Sequence, residues 1–271
     1  MNLLRIREYL ITIILALAAL AILIGGGIAL SSWQSEQPSA CNVASVKLFG
    51  PLVYYPNEYS NGRADPSSVD QSAAEDIRAQ IEAADADPSI KAILLQVDSP
   101  GGDPVAGEDV MAALEHASKP TVALVGDLGT SAAYWAMTGA GTIFASANSS
   151  LGDIGVTQSY LQETKQDQQN GLQFVSLTAG QYKDMGNPSA PLTPAEKALF
   201  QRDLDITYNN FIADVAANRH LAVDKVKALA DGSSMLGEMA LQDGLIDRIG
   251  TIYDAKEFLQ KKINSPVTIC Q

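Results

Sequence analysis

A chain of 271 residues with 46% hydrophobic content is long enough for one sizeable α/β domain and apolar enough to bury a real core, which excludes disorder over most of its length. Its formal charge of −13 argues against nucleic acid as a partner, and because Arg5 and Arg7 offset Glu8 and Glu36, the acidity belongs to the part after residue 40. His116, His220, Cys41 and Cys270 are too few and too scattered to make a metal site, so no metal and no cofactor are expected.

The first element is an apolar run from Leu10 to Leu30 without a charged side chain. It matches the roughly 20 residues a helix needs to cross a bilayer's hydrocarbon core, and reads as a transmembrane anchor. A signal peptide's apolar region is shorter, about 7–15 residues, and Pro38-Ser39-Ala40 is a poor cleavage site. Arg5 and Arg7 precede the run while the next basic residue is Lys47, so residues 1–9 are expected in the cytoplasm of a single-pass cell-membrane protein. A Ser/Gln/Pro-rich linker, 31–42, then leads to an extracytoplasmic domain, 43–271. Cys41 and Cys270 bracket that domain. Outside the membrane they read either as a disulfide joining its ends or as two unrelated thiols.

Within the domain, Val43 to Val53 predicts a first strand, followed by a polar loop. Val69 to Ala86 has helical spacing, Ile90 to Val97 is a continuous apolar strand suited to a buried parallel sheet, and Val105 to Ala117 is helical again. Thr121 to Val125 predicts a strand, Ser131 to Thr138 a helix, Thr142 to Ala145 a short strand and Leu151 to Val156 a Gly-punctuated turn and strand. This alternation implies βαβ units. Gln158 to Gln169 reads as a helix, Gln173 to Leu177 as a strand and Ala179 to Pro194 as a loop. Thr193, Pro194 and Glu196 form a helix-start signal for a long helix to about Ala217, with further helices at 222–230, 237–242 and 254–262.

Three constellations carry chemistry. Asp98-Ser99-Pro100-Gly101-Gly102 follows a buried strand, where α/β sheets hold ligands, and paired glycines let an N–H approach a carbonyl oxygen; an ordinary glycine turn would look the same. Ser131 stands at a predicted helix N-terminus, where exposed N–H groups stabilise an anion, though a capping serine would stand there too. Lys183 lies in a Gly-rich stretch, Ala-Gly-Gln-Tyr-Lys-Asp-Met-Gly, and reads either as a surface lysine or as a base, which burial would help to shed its proton. Both histidines fall at predicted helix ends, which disfavours a Ser/His triad, and Ser131 with Lys183, 52 residues apart, suggests a Ser/Lys hydrolase instead.

Taken in order, DSPGG (98–102), KPTVALVG (119–126), SAAYWA (131–136), LGDIGV (151–156), GQYKDMG (180–186) and ALQDGLIDRIG (240–250) resemble the signal peptide peptidase A family. Its members are membrane-anchored Ser/Lys peptidases related to Clp protease. The resemblance spans roughly residues 43–260 and implies a Clp protease/crotonase-like α/β fold with a ββα-superhelix core. It also implies Ser131 as nucleophile, Lys183 as general base, and the N–H groups of Gly102 and Ala132 as the oxyanion hole. A ring-like homo-oligomer is implied as well, with Ser131 and Lys183 meeting across a subunit boundary. Two residues depart from the pattern: Ala132-Ala133 replace two glycines, and Asp153 replaces a serine that orients the lysine. As the lysine-orienting candidate, Asp153 would favour the charged form of Lys183, giving activity that rises toward alkaline pH.

The expected function is a serine endopeptidase, held in the lipid by its N-terminal anchor, that cuts apolar peptides such as residual signal peptides. Two alternatives stand beside it: a catalytically impaired relative acting as a peptide-binding or scaffold protein, and a crotonase-like acyl-thioester enzyme. An outward-facing location and the lack of a basic cluster near Gly101 and Gly102 disfavour the last.

Overall fold

The apolar run at Ala92–Ser99 (β4) folds as the inner strand of a parallel sheet, buried on both faces at Ile93, Leu94 and Leu95. This computed structural model describes residues 41–55 and 71–270. The proposed anchor at 10–30 lies outside them, and among the described residues no helix is long and apolar enough to cross a membrane.

Val43–Phe49 (β1) pairs with β4, β4 with Thr121–Thr130 (β5), β5 with Ile143–Ala145 (β6), and β6 with Arg248–Ile249 (β9), all in parallel. The expected strand at 43–53 is broken at Gly50, where φ is 65°, so Leu52–Val53 (β2) leaves the main sheet and pairs with Ser72–Ala73 (β3). Strand β5 runs further than its apolar stretch predicts. Beyond Val125 it shifts register against β4, and its last residues pair with Ser150–Gly152 (β7), which pairs antiparallel with Ser234–Leu236 (β8).

Helices cover both faces of the sheet. Ala74–Ala86 (α1), Pro104–His116 (α2) and Ala132–Thr138 (α3) share one core with residues Phe211, Ile212 and Val215 of the long helix Pro194–Asn218 (α5). Ile252–Ile263 (α8) covers the other face, where Ala255 and Leu259 meet Val43, Leu94, Val122 and Phe144. The start of α5 is as its sequence signals: Thr193 and Glu196 form a capping box, with proline in the first turn. Thr164–Gln169 (α4), Val223–Leu229 (α6) and Gly237–Asp243 (α7) are short.

The helix expected at 158–169 is reduced to α4, and the strand expected at 173–177 is not formed. Its residues have no neighbouring strand to pair with and remain exposed; Leu177 is 96% accessible. At the other end of the domain, the amide of Asn42 donates to Thr268 and that of Cys270 to Val43, closing the terminal segments on each other. Cys41 and Cys270 are both disulfide-bonded.

Candidate active site

Ser131 occupies the junction between β5 and α3 with φ 53° and ψ −129°, a conformation rarely adopted by a residue with a side chain. Three contacts hold it there. Its N–H donates to Gly152 O at 2.8 Å, its carbonyl accepts from Trp135 N–H at 3.0 Å, and the Gly101 backbone lies against it. A Cβ at Gly101 would come within 2.7 Å of both Ser131 Cβ and Ala132 N, so only glycine lets the two loops meet.

The Asp98–Gly102 turn is shaped from inside. Ser99 is fully buried, and its Oγ accepts the Gly101 N–H at 3.1 Å. Gly101 O accepts from Leu52 N–H at 2.8 Å, and Asp103 N–H donates to Leu52 O at 2.9 Å. This parallel bridge uses the groups on either side of Gly102 and leaves its own N–H without a partner among the described residues. Ala132, the first residue of α3, has an N–H that no helical carbonyl can reach and that has no partner among the described residues. Both residues line the same cavity as Ser131, about 580 Å³ in volume. A hydroxyl beside two unpartnered amides is the arrangement that acyl transfer uses, the amides receiving the developing oxyanion.

Asp153 also lines this cavity. Its φ is 52°, its N–H donates to Ser233 O at 3.1 Å, and burial pushes its carboxyl above the usual carboxylate range. No hydrogen bond or ion pair reaches that carboxylate among the described residues. The cavity's apolar walls come from Trp135, Tyr208, Phe211 and Val156. Trp135 stacks on Phe211 with centroids 4.5 Å apart, its indole N–H donating to Asp214 at 2.9 Å, and Tyr208 donates its hydroxyl to Ala230 O.

Within one chain the structure brings together Ser131, Gly102, Ala132 and Asp153, and it does not bring Lys183 to them. Lys183 is exposed on a turn, its N–H donating to Gly180 O, and it lines no part of the cavity and makes no ion pair with Asp153. Trp135, Tyr208, Phe211 and Asp231 belong to the cavity but were not singled out from sequence; the 3–4 spacing of Tyr208, Phe211, Ile212 and Val215 marks a buried helix face, but nothing local says it faces a cavity.

A mostly parallel sheet covered by helices, with a strained serine where strand meets helix beside an amide pair, defines a Clp-protease-like α/β framework. The Clp protease family model matches residues 66–151 and the peptidase family S49 model residues 113–265, more than half of the chain. The chain belongs to peptidase family S49. It is 36% identical over 180 residues to a sequence from Methanocaldococcus jannaschii, covering 66% of this chain and 58% of that one. It is 30% identical over 207 residues to Protease 4 of Salmonella typhi, covering 75% and 33% respectively. The chain thus spans less than two thirds of these relatives' length. A ClpP1 mutant from Listeria monocytogenes shares the fold at TM-score 0.50 and 13% identity, over 78% of this chain and 92% of that one.

Proposed function

We propose that the protein is a membrane-anchored serine endopeptidase that cleaves apolar peptides, including residual signal peptides, with its catalytic domain outside the cytoplasm. The observation that carries this reading is Ser131 in a strained conformation beside the unpartnered amides of Gly102 and Ala132. In this mechanism Ser131 Oγ attacks the scissile carbonyl carbon while its proton passes to the neutral amine of Lys183. The carbonyl oxygen becomes an oxyanion held by the Gly102 and Ala132 N–H groups. Collapse expels the leaving amine, which takes the proton from Lys183, and leaves an acyl-enzyme. Water then attacks the acyl carbon, giving up a proton to Lys183; the bond from that carbon to Ser131 Oγ breaks, Lys183 returns the proton to Oγ, and the acyl group leaves as a carboxylic acid.

Lys183 comes from a neighbouring copy in this account, since within one chain it stands on an exposed segment away from Ser131. That segment carries exposed apolar side chains, Leu161, Leu172, Val175 and Leu177, which a second copy would cover in a homo-oligomer. The anchor at 10–30 would hold the assembly where hydrophobic peptides concentrate. A peptide-binding protein without turnover is the second reading, favoured by Asp153 in the cavity. A serine-reactive phosphonate applied to the full chain separates them. Covalent mass on Ser131 is expected for the peptidase, and an unmodified Ser131 would leave binding as the function.

A further inference from the structure

The carboxylate of Asp153 is the cavity's unusual feature. It is half-buried, and that partial burial raises its proton affinity, yet among the described residues no hydrogen bond or ion pair reaches it. Asp231 stands on the same wall, because Asp153 N–H bonds to Ser233 O and Gly155 packs on Gly232. Ser233 occupies only one oxygen of Asp231. The opposing surface is apolar in effect, since the Trp135 N–H and the Tyr208 hydroxyl are already committed to Asp214 and Ala230. Among the described residues, no lysine or arginine lines the cavity. Ser131, the half-buried Asp153 and the exposed Asp231 line the same cavity, so a peptide bound at Ser131 lies within reach of both carboxylates.

Lys183 is a poor candidate for the missing cation. A base must give up its proton, and a carboxylate at contact would hold the amine charged. A cation that stays charged throughout turnover satisfies Asp153 without disabling the reaction.

We propose, resting on the peptidase reading, that the Ser131 cavity selects peptides carrying a lysine or arginine within or beside an apolar stretch. The methylene stem lies along Val156 and Tyr208, and the charged head is held by Asp153, with Asp231 beside it. Secretory leaders have this composition, a basic stretch followed by an apolar one.

The test uses binding, so that it does not depend on turnover. The full chain carrying Ser131→Ala, in detergent, is titrated into two fluorescently labelled Leu/Ala peptides identical but for one residue, lysine or norleucine, and anisotropy is read. The lysine peptide is expected to bind about tenfold more tightly, as a hydrogen bond to a charged group allows. That ratio is expected to fall toward one in Asp153→Asn and in the Asp153→Asn/Asp231→Asn double variant. High salt narrows it in the unaltered cavity, a control that needs no further variant. Equal affinities, a norleucine preference, or a ratio that survives loss of both carboxylates would overturn the proposal. Hydrolysis of both peptides by the chain with Ser131 intact is read separately; its absence for both would count against the peptidase and leave the binding ratio to decide the specificity.

Discussion

The amide of Ser131 donates to the carbonyl of Gly152 at 2.8 Å across the β5–β7 ladder, so the backbone of Ser131 is tied to the residue that precedes Asp153. One strand pairing therefore fixes both the unusual φ of Ser131 and the position of the nearby carboxylate. The far side of the same serine is held by Gly101, and the cavity depends on both supports.

Gly101→Ala tests the second support. The new methyl would meet Ser131 Cβ, Ala132 N and Thr130 O, all within 2.8 Å, at a φ of 94° that disfavours side chains. Displacing the amides from the oxyanion is expected to lower kcat at least about 100-fold. The folded state should lose about 1–3 kcal/mol, read from denaturant midpoints.

Asp153 gives stability a pH dependence of defined sign. Its folded-state proton affinity is raised by burial, so its contribution is whole below the unfolded-state value, near 3.9, and is lost as pH rises through the higher folded value. Asp153→Asn should therefore match the parent at pH about 3 and be the more stable of the two at pH about 7, by a small margin because the group is still largely hydrated. Asparagine tolerates the positive φ, which keeps the comparison clean. Thermal midpoints across this range check it.

Cys41 and Cys270 are disulfide-bonded, and Cys270 also hydrogen-bonds through its backbone to Val43. Reduction, or Cys41→Ser with Cys270→Ser, is expected to cost about 2–4 kcal/mol of stability through a freer unfolded chain. Since the bond lies far from Ser131 in sequence and in sheet position, kcat at low temperature should change little.

Much of the framework was legible because it rests on local signals. The apolar run before Asp98 could only be a buried strand, and Thr193, Pro194 and Glu196 wrote the start of α5 in their side chains. Ser131, Gly102 and Ala132 could be named from motifs, and the fold brings them to one cavity. What could not be read depends on distant partners. β8 and β9 are two or three residues long and exist because β7 and β6 are there to pair with. The stretch 173–177 has strand-forming residues but no such partner. The cavity wall from Tyr208, Phe211 and Asp231 is contributed by α5 and the segment before β8, far along the chain from Ser131. Lys183 belongs to the same class: its sequence offers a base, and the surrounding chain offers it no nucleophile.

The most direct test of the central claim is hydrolysis of an apolar peptide by the full chain, by Ser131→Ala, by Lys183→Ala, and by the last two co-expressed so that mixed assemblies form. The parent is expected to turn over, each single variant to fall at least about 1,000-fold, and the mixed assembly to regain activity, because some interfaces then pair an intact Ser131 with an intact Lys183. Turnover that persists in Ser131→Ala would contradict the nucleophile, and a mixed assembly as inert as its parts would contradict a base supplied by the neighbouring copy.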